Sequence, residues 1–477
     1  MGIKEFNKFI KSNYPSCIKQ KWLQQYDNIY IDLNACLHNI SYVSKSRDDM
    51  CKKLEQYIMN IIHELNPKSN VILASDGPAP LAKLLLQRSR RLDMVRKGEI
   101  DLETTSLNFT PGTKFMDSLA DILEELVDKI TLLYRVNVHL MIDKVDEAEI
   151  KIKHHIFNSI KNNSKKRLTY CVVSNDADVI VLLMNLQNIH NVYIMHKKSS
   201  CIEILNLGVL IDCHTDKFGC SSDPKYDFMS LNIMLGNDYL PKVQYITFDK
   251  LWKSYRETLY SHNNGLIYNK TKISQEFLID LITNIIKNTP KHFIKHFKLE
   301  TYDDKLYENY WDGYLWCIDT YNHGICTNYN YSYNYSTSPH PVGLLLSLYK
   351  KNEFISFEQV KTEPICKELY SILLIPKTVK QLLNDKYQNL TDSKELEMLY
   401  DEELCKCCKK YNKLISKLNK KYLKSKKEDD ENSLELKKEI TNNMNKYYIH
   451  KKQHKKISKK NINTILKVCQ KANLFCN

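Results

Sequence analysis

The stretch at residues 71–91, VILASDGPAPLAKLLLQRSRR, joins an apolar run, an acid and a basic helix within a single supersecondary unit. Val71, Ile72, Leu73 and Ala74 suit a fully covered parallel strand, and Asp76-Gly77-Pro78 ends it with a turn. Asp76 therefore stands at the carboxyl end of a strand, where open α/β sheets place their sites. From Ala79 the residues favour a helix, and Lys83, Gln87, Arg90 and Arg91 fall at i, i+4, i+7 and i+8, so three cations and an amide share one face. Such a face binds an anion, with a solvated basic face as the bland alternative. The chain has eight arginines against sixty-two lysines, yet Arg88, Arg90, Arg91 and Arg96 lie within nine residues of one another. Guanidinium groups grip phosphate by paired hydrogen bonds, so this concentration points to a phosphate pocket.

The 477 residues allow large cores and two or three domains. No apolar run approaches a bilayer span, the N-terminus lacks a signal-peptide apolar stretch, and no membrane partner is expected. Fifteen cysteines scattered through apolar segments read as reduced thiols rather than a disulfide frame, which suggests a cytoplasmic or nuclear compartment. The net charge of +14 is concentrated: residues 401–477 hold twenty-one Lys and nine Asp or Glu. This basic tail suits a polyanionic partner such as nucleic acid, or a solvated helical extension. Within it Cys405, Cys407 and Cys408, with His454, Cys469 and Cys476 further on, could form a zinc site, but they lack a clean pair of CxxC knuckles and read rather as plain reduced thiols on a helix.

Along the chain, residues 28–34 (NIYIDLN) alternate as a strand with Asp32 and Asn34 on one face, and His38 follows in the next turn. Helical patterns cover 48–65 and 114–134, and further strands are expected over 136–142 and 168–173. Each is followed by acids, Glu147 and Glu149 after the first and Asp176 and Asp178 after the second. Residues 191–195 and 202–205 read as paired strands, and Asp238 stands in the glycine-marked turn GNDYLP. Singly these acids are weak signals, and a helix N-terminus welcomes acids for its dipole alone. Together Asp32, Asp76, Glu147, Glu149, Asp176, Asp178 and Asp238 would converge on one edge of a parallel sheet, which is strongly unfavourable unless divalent cations neutralise them. An all-oxygen donor set favours Mg²⁺, with Mn²⁺ as the alternative, and two such ions could hydrolyse a phosphodiester.

The segments MGIKEFNKFIKSNYP, YIDLNACLHN, DGPAPLAKLLLQRSRR, NFTPGTKFM, DEAEIKI, SNDADVIVLL and LGNDYLP, and later CKELYSILLIP, stand in an order that resembles the 5′→3′ exoribonucleases of the Xrn/Rat type over about residues 1–380. The resemblance implies a magnesium-dependent enzyme that processively degrades single-stranded RNA bearing a 5′-monophosphate, on a PIN/FEN-like nuclease core with a mostly parallel central sheet flanked by helices and a helical C-terminal extension. It makes the seven acids the catalytic metal ligands for two ions, Lys83, Gln87, Arg90 and Arg91 the terminal-phosphate pocket, and His38 a residue stacking on the first base. The family's acidic spacer and large appended domains have no counterpart here, which implies a minimal catalytic core. Asp146 and Ala148 stand where the family usually has glycine before each Glu, and Tyr329, Tyr331, Tyr333 and Tyr335 replace a Trp- and Tyr-rich stretch as candidate stacking residues or exposed aromatics. The expected division is a nuclease core over 1–250, a mainly helical region completing the catalytic domain over 251–400, and a Lys-rich, helical or partly disordered tail over 401–477. Two alternatives stand beside this reading. A flap-endonuclease-like enzyme has a comparable acid set but calls for a glycine-bearing hairpin after the last acid, whereas residues 240–258 contain no glycine. A catalytically inactive RNA-binding scaffold has no structural need for seven convergent acids.

Overall fold

A computed structural model describes the chain apart from residues 1–2, 4, 98–99, 143, 199–200, 220, 263, 269–271, 336, 351–359, 428–432, 452–461 and 463–477. Its centre is a seven-stranded sheet of β1 (Ile18–Lys19), β2 (Tyr26–Asp32), β3 (Pro67–Ala74), β4 (Asn137–Met141), β5 (Tyr170–Val173), β6 (Val192–Lys198) and β7 (Cys201–Asn206), in the order β1-β7-β6-β5-β2-β3-β4. β6, β5, β2, β3 and β4 run parallel, β7 pairs antiparallel with β6, and β1 pairs antiparallel with β7 and so runs in the direction of the parallel set. Val71, Ile72, Leu73 and Ala74 are wholly buried, as a strand covered on both faces requires. The 192–198 and 201–206 strands pair as their apolar pattern predicts. The strand expected over 28–34 instead stops at Asp32, and Asn34 belongs to the helix Leu33–Ser41 that follows directly.

The chain packs as two compact units that interleave in sequence. The first comprises residues 1–39, 52–83 and 123–364 and contains the sheet. Its core sets the strands against the helices Ala148–Asn162, Asp178–Leu183 and Pro224–Ile233, with Trp252, Tyr310, Tyr314 and Trp316 fully enclosed further along. The second comprises residues 40–51, 84–122 and 365–477 and is helical. In it Arg88, buried, donates to the carbonyls of Leu373 and Leu399 and so fastens the helices Lys367–Leu374 and Glu397–Leu404. Its last helices, Lys406–Lys427 and Ser433–Lys451, form an antiparallel hairpin, as the meeting of the Tyr411 and Tyr447 rings shows. This is a division by packing, whereas the consecutive stretches 1–250, 251–400 and 401–477 divide the chain by sequence character. No helix of the described residues is long and apolar enough to cross a membrane.

Candidate active site

The register of the parallel strands levels their carboxyl ends: Asp32 pairs with Ala74, Ala74 with Met141 and Ile31 with Val173. Asp32 is the last residue of β2, and Asp76 lies two residues beyond β3. Glu147 and Glu149 flank the start of the helix after β4, and Asp178 opens the helix after β5 with Asp176 just ahead of it. Six of the expected acids thus stand along one edge because the chain leaves four adjacent strands on the same side. Asp238 arrives from elsewhere, in the turn after the helix Pro224–Ile233. There Gly236 takes a φ of 87°, and a Cβ on it would come within 2.7 Å of the Lys242 nitrogen, so the position demands glycine. The Asn237 Oδ1 then accepts from the nitrogens of Tyr239 (2.9 Å) and Leu240 (2.8 Å), which fixes the turn that carries Asp238.

Short hydrogen bonds tie these loops together. The Ala35 nitrogen and the Ser174 hydroxyl both donate to Asp32, each at 3.1 Å. Asp76 donates its backbone N–H to Asn34 Oδ1 (2.9 Å), while its carboxylate accepts from the Ala148 nitrogen (3.0 Å). The Asp178 nitrogen donates to Asp176 (3.1 Å), and the Asp178 carboxylate accepts from the backbone of Ile3 (2.8 Å), so the N-terminal segment supports the site. Lys83 reaches in from the helix Leu81–Lys97, its ammonium 2.5 Å from Glu147 and 2.5 Å from Asp238. The Tyr239 hydroxyl donates to the other Glu147 oxygen.

The electrostatics record how much like charge is gathered. Burial and then the Asp76 carboxylate raise Asp32 to about 7. Burial pushes Glu149 and Asp178 well above the carboxylate range, with Glu147 the next cause for the former and Asp176 for the latter. Glu147 is also raised by burial, against the pull of Lys83. For Lys83 burial works to lower the ammonium, but the surrounding Glu147, Asp238, Glu149 and Asp176 raise it well above an ordinary lysine. Every one of the seven acids takes part in this web of mutual influence. Among the described residues no three of them bring ligand oxygens within 4.8 Å of one another.

The pocket expected on the basic helix divides between the two units. Lys83 belongs to the first, with the acids. Gln87, Arg90 and Arg91 belong to the second, all half-buried. There the Arg91 guanidinium donates twice to Thr110 Oγ1 (3.0 and 2.9 Å) and once to Gln87 Oε1 (3.4 Å), and Gln87 also accepts from the Tyr370 hydroxyl (3.0 Å). Thr110 is the first threonine of the NFTPGT turn. Of the clustered arginines, Arg88 is a structural clamp, and Arg96 binds Asp93 (3.3 Å) and the Tyr447 hydroxyl (2.8 Å). His38 is half-buried on the helix Leu33–Ser41.

The tyrosine stretch is not one surface. Tyr329 is buried with its hydroxyl on Asp146 (2.6 Å), and Tyr331 stacks on Trp316 at 4.8 Å, whereas Tyr333 and Tyr335 are half-buried with their rings 5.8 Å apart. Asp146, where the resemblance calls for glycine, adopts the left-handed conformation itself, at φ 74°. An L side chain there costs on the order of 1 kcal/mol, and three hydrogen bonds hold it: Tyr329 to its carboxylate, its nitrogen to Pro78 O (3.1 Å), and Gly77 nitrogen to its carbonyl (2.8 Å). Tyr239, Ser174 and Ile3 are supports that sequence reasoning does not single out, and Tyr329, expected as a stacking or exposed aromatic, is another. Ser174 in SNDADVIVLL, Tyr239 in LGNDYLP and Ile3 in MGIKEFNKFIKSNYP all sit in motifs that could flag them.

Residues 1–198 match the family profile for the XRN 5′-3′ exonuclease N-terminus. The 5′-3′ exoribonuclease 1 of Saccharomyces cerevisiae is 26% identical over 337 residues, covering 57% of this chain and 22% of that protein. Its human namesake is 24% identical over 309 residues, 52% of this chain and 18% of that protein. The chain thus spans about a fifth of the length of these relatives. Among solved structures, the catalytic core of Rad2 in complex with DNA aligns over 66% of this chain and 84% of its own, with a TM-score of 0.38 and 13% identity. The T5 D15 protein co-crystallised with metal ions aligns over 55% and 88%, with a TM-score of 0.31 and 11% identity. Similarity that low carries no argument about this chain. The sequence match is more specific: residues 1–198, which hold six of the seven acids and all of the helix Leu81–Lys97, are similar to the XRN 5′-3′ exonuclease N-terminus.

Proposed function

We propose that this chain is a Mg²⁺-dependent 5′→3′ exoribonuclease that removes nucleotides processively from single-stranded RNA carrying a 5′-monophosphate. The observation that carries the reading is the carboxyl edge itself, where burial raises Asp32, Glu147, Glu149 and Asp178 together around one ammonium. Structural acids look different. Asp227, also buried, accepts from Tyr255 and from the nitrogens of Leu266 and Ile267, which satisfies it within the fold. The edge carboxylates are instead pressed against one another, an arrangement that fits hard divalent cations bound through oxygen.

Asp32, Asp76, Glu147, Glu149, Asp176, Asp178 and Asp238 would hold two ions, Mg²⁺ or in its place Mn²⁺, and these when bound activate a water and stabilise the leaving oxygen of the phosphodiester. The chain's own groups do the remainder. Ser174, Ala35 and the Ala148 nitrogen fix the directions of Asp32 and Asp76. Tyr239 and Lys83 hold the two oxygens of Glu147. Gln87, Arg90, Arg91 and Lys83 receive the terminal phosphate, with Thr110 and Tyr370 setting the rotamers of the fork beforehand, and His38 stacks on the first base. The decisive assay offers one RNA with 5′-monophosphate, 5′-triphosphate, 5′-hydroxyl and capped ends, with Mg²⁺ and with EDTA. Degradation from the 5′ end is expected for the monophosphate with Mg²⁺ alone; equal turnover of all four ends would overturn the substrate assignment, and turnover in EDTA the metal assignment.

A further inference from the structure

Among the described residues, one group of metal-ligating side chains brings its ligand atoms within 4.8 Å of one another, and it lies far along the sequence from the acids: Cys405, Cys407 and His450. Cys405 immediately precedes the helix Lys406–Lys427, and Cys407 is in its first turn. His450 is the next-to-last residue of the helix Ser433–Lys451, so the antiparallel hairpin folds the two ends together across more than forty residues. The Cys405 Sγ is 3.2 Å from the His450 Nε2. Zn–S bonds of about 2.3 Å and Zn–N bonds of about 2.0 Å put the ligand atoms of a tetrahedral site roughly 3.5–3.8 Å apart, so a small adjustment suffices. Cys408, three residues after Cys405, is fully buried and is among the groups that act on the Cys405 thiol. A partner of this kind orients a metal ligand. The His450 ring also lies against Tyr411, at 6.4 Å.

We propose that Cys405, Cys407 and His450 bind one Zn²⁺ that fastens the open end of the C-terminal hairpin, with water completing the tetrahedron on the exposed Cys407 side. Two thiolates and an imidazole are soft and borderline donors, which select zinc over the hard cations suited to the carboxyl edge. Binding releases the two thiol protons to solvent and replaces the Cys405–His450 hydrogen bond with metal coordination that joins the two helices. The sequence does not announce this site because His450 is distant and no second CxxC knuckle accompanies the cysteines; only the hairpin brings the donors together.

The test uses the full chain. Purified with zinc and then exhaustively dialysed, it should retain about one zinc per molecule by elemental analysis, and Cys405→Ser, Cys407→Ser and His450→Gln should each cut retention about tenfold or more. Cobalt substitution should add a thiolate-to-metal absorption band that the same variants lack. Because a variant can lose metal by misfolding, alkylation of the unaltered protein provides an independent reading: zinc should protect Cys405 and Cys407 relative to EDTA, while the exposed Cys366 reacts equally in both. Unchanged labelling of Cys407, or full zinc retention in the Cys405→Ser/Cys407→Ser double variant, would overturn the site.

Discussion

The carboxyl edge of the sheet and the C-terminal hairpin each gather like charge, and they treat it in opposite ways. At the edge, carboxylates are drawn out of water and against one another, with Lys83 between two of them. On the hairpin, Lys406, Lys410, Lys413, Lys417 and Lys420 follow one helical face at i, i+4, i+7, i+11 and i+14, and all are exposed. Solvated lysines cost almost nothing to assemble, since water hydrates them and salt at physiological strength screens them over a Debye length of roughly 8–10 Å. Gathered buried carboxylates cost a great deal, so a chain that keeps them has a use for the field they create. Charge density alone therefore says little; desolvation separates a working site from a solvated face.

The largest effect should come from deleting charge at the edge. Asp176→Asn or Asp178→Asn is expected to lower hydrolysis by about a thousandfold or more, on the order of 4 kcal/mol in the barrier, while RNA affinity measured by filter binding changes little. Near-normal turnover in both variants would refute the proposed use of the edge. Lys83→Met tests its electrostatic balance. Glu147 and Asp238 would lose their buried cation, at about 3–5 kcal/mol, so thermal denaturation in EDTA should show a marked loss that added Mg²⁺ partly restores; identical melting of variant and parent in EDTA would contradict the burial argument.

A buried lysine in a neutral setting extends the contrast. Lys153 is fully enclosed and donates to the Leu182 carbonyl (3.0 Å) and to Asn185 Oδ1, and burial lowers its ammonium to about 7. Its folded value lies below the unfolded one, so its contribution is present above the ordinary lysine value of 10.5 and is lost as pH falls toward 7. Between those limits the unfolded chain takes up a proton that the folded chain refuses, which steepens the pH dependence of stability by up to about 1.4 kcal/mol per pH unit. Melting followed from pH 9 down to pH 7 should therefore fall less in Lys153→Met than in the parent, and parallel curves would show that the buried amine does not titrate in this range.

Between the two extremes stand the half-buried Arg90 and Arg91. Replacing either by Ala should narrow the preference for 5′-monophosphate over 5′-hydroxyl RNA by about tenfold, or roughly 1.4 kcal/mol, and an equal loss on both substrates would mean that they grip the backbone at large. The smallest effect belongs to the exposed face. Changing Lys410, Lys413, Lys417 and Lys420 to Gln should leave turnover of short RNA intact and reduce the salt dependence of long-RNA binding by about 0.7 in log–log slope for each phosphate no longer neutralised. An unchanged slope would leave that face merely solvated.

Much of the edge is legible in the sequence. Short apolar runs followed by acids specify parallel strands with their ends on one side, because a strand buried on both faces must be apolar and its polar residues collect where it emerges. Alternation overstates the length of β2, since Asn34 is in phase with Asp32 yet lies in a helix, where its side chain orients Asp76 instead. The tyrosine alternation misleads similarly: period two suggests one exposed face, but Tyr329 and Tyr331 are engaged by Asp146 and Trp316.

Periodicity, the succession of strands and acids, and the helical spacing that puts Lys83, Gln87, Arg90 and Arg91 on one face all follow from the sequence alone, because they depend on neighbours within a few residues. Packing set which charges lost their water and which distant groups met them: Ile3 on Asp178, Tyr239 on Glu147, Arg88 in its carbonyl clamp, and His450 beside Cys405. Those pairings span from 45 to 311 positions along the chain, and burial at such separations is a property of the packed whole that no local pattern encodes.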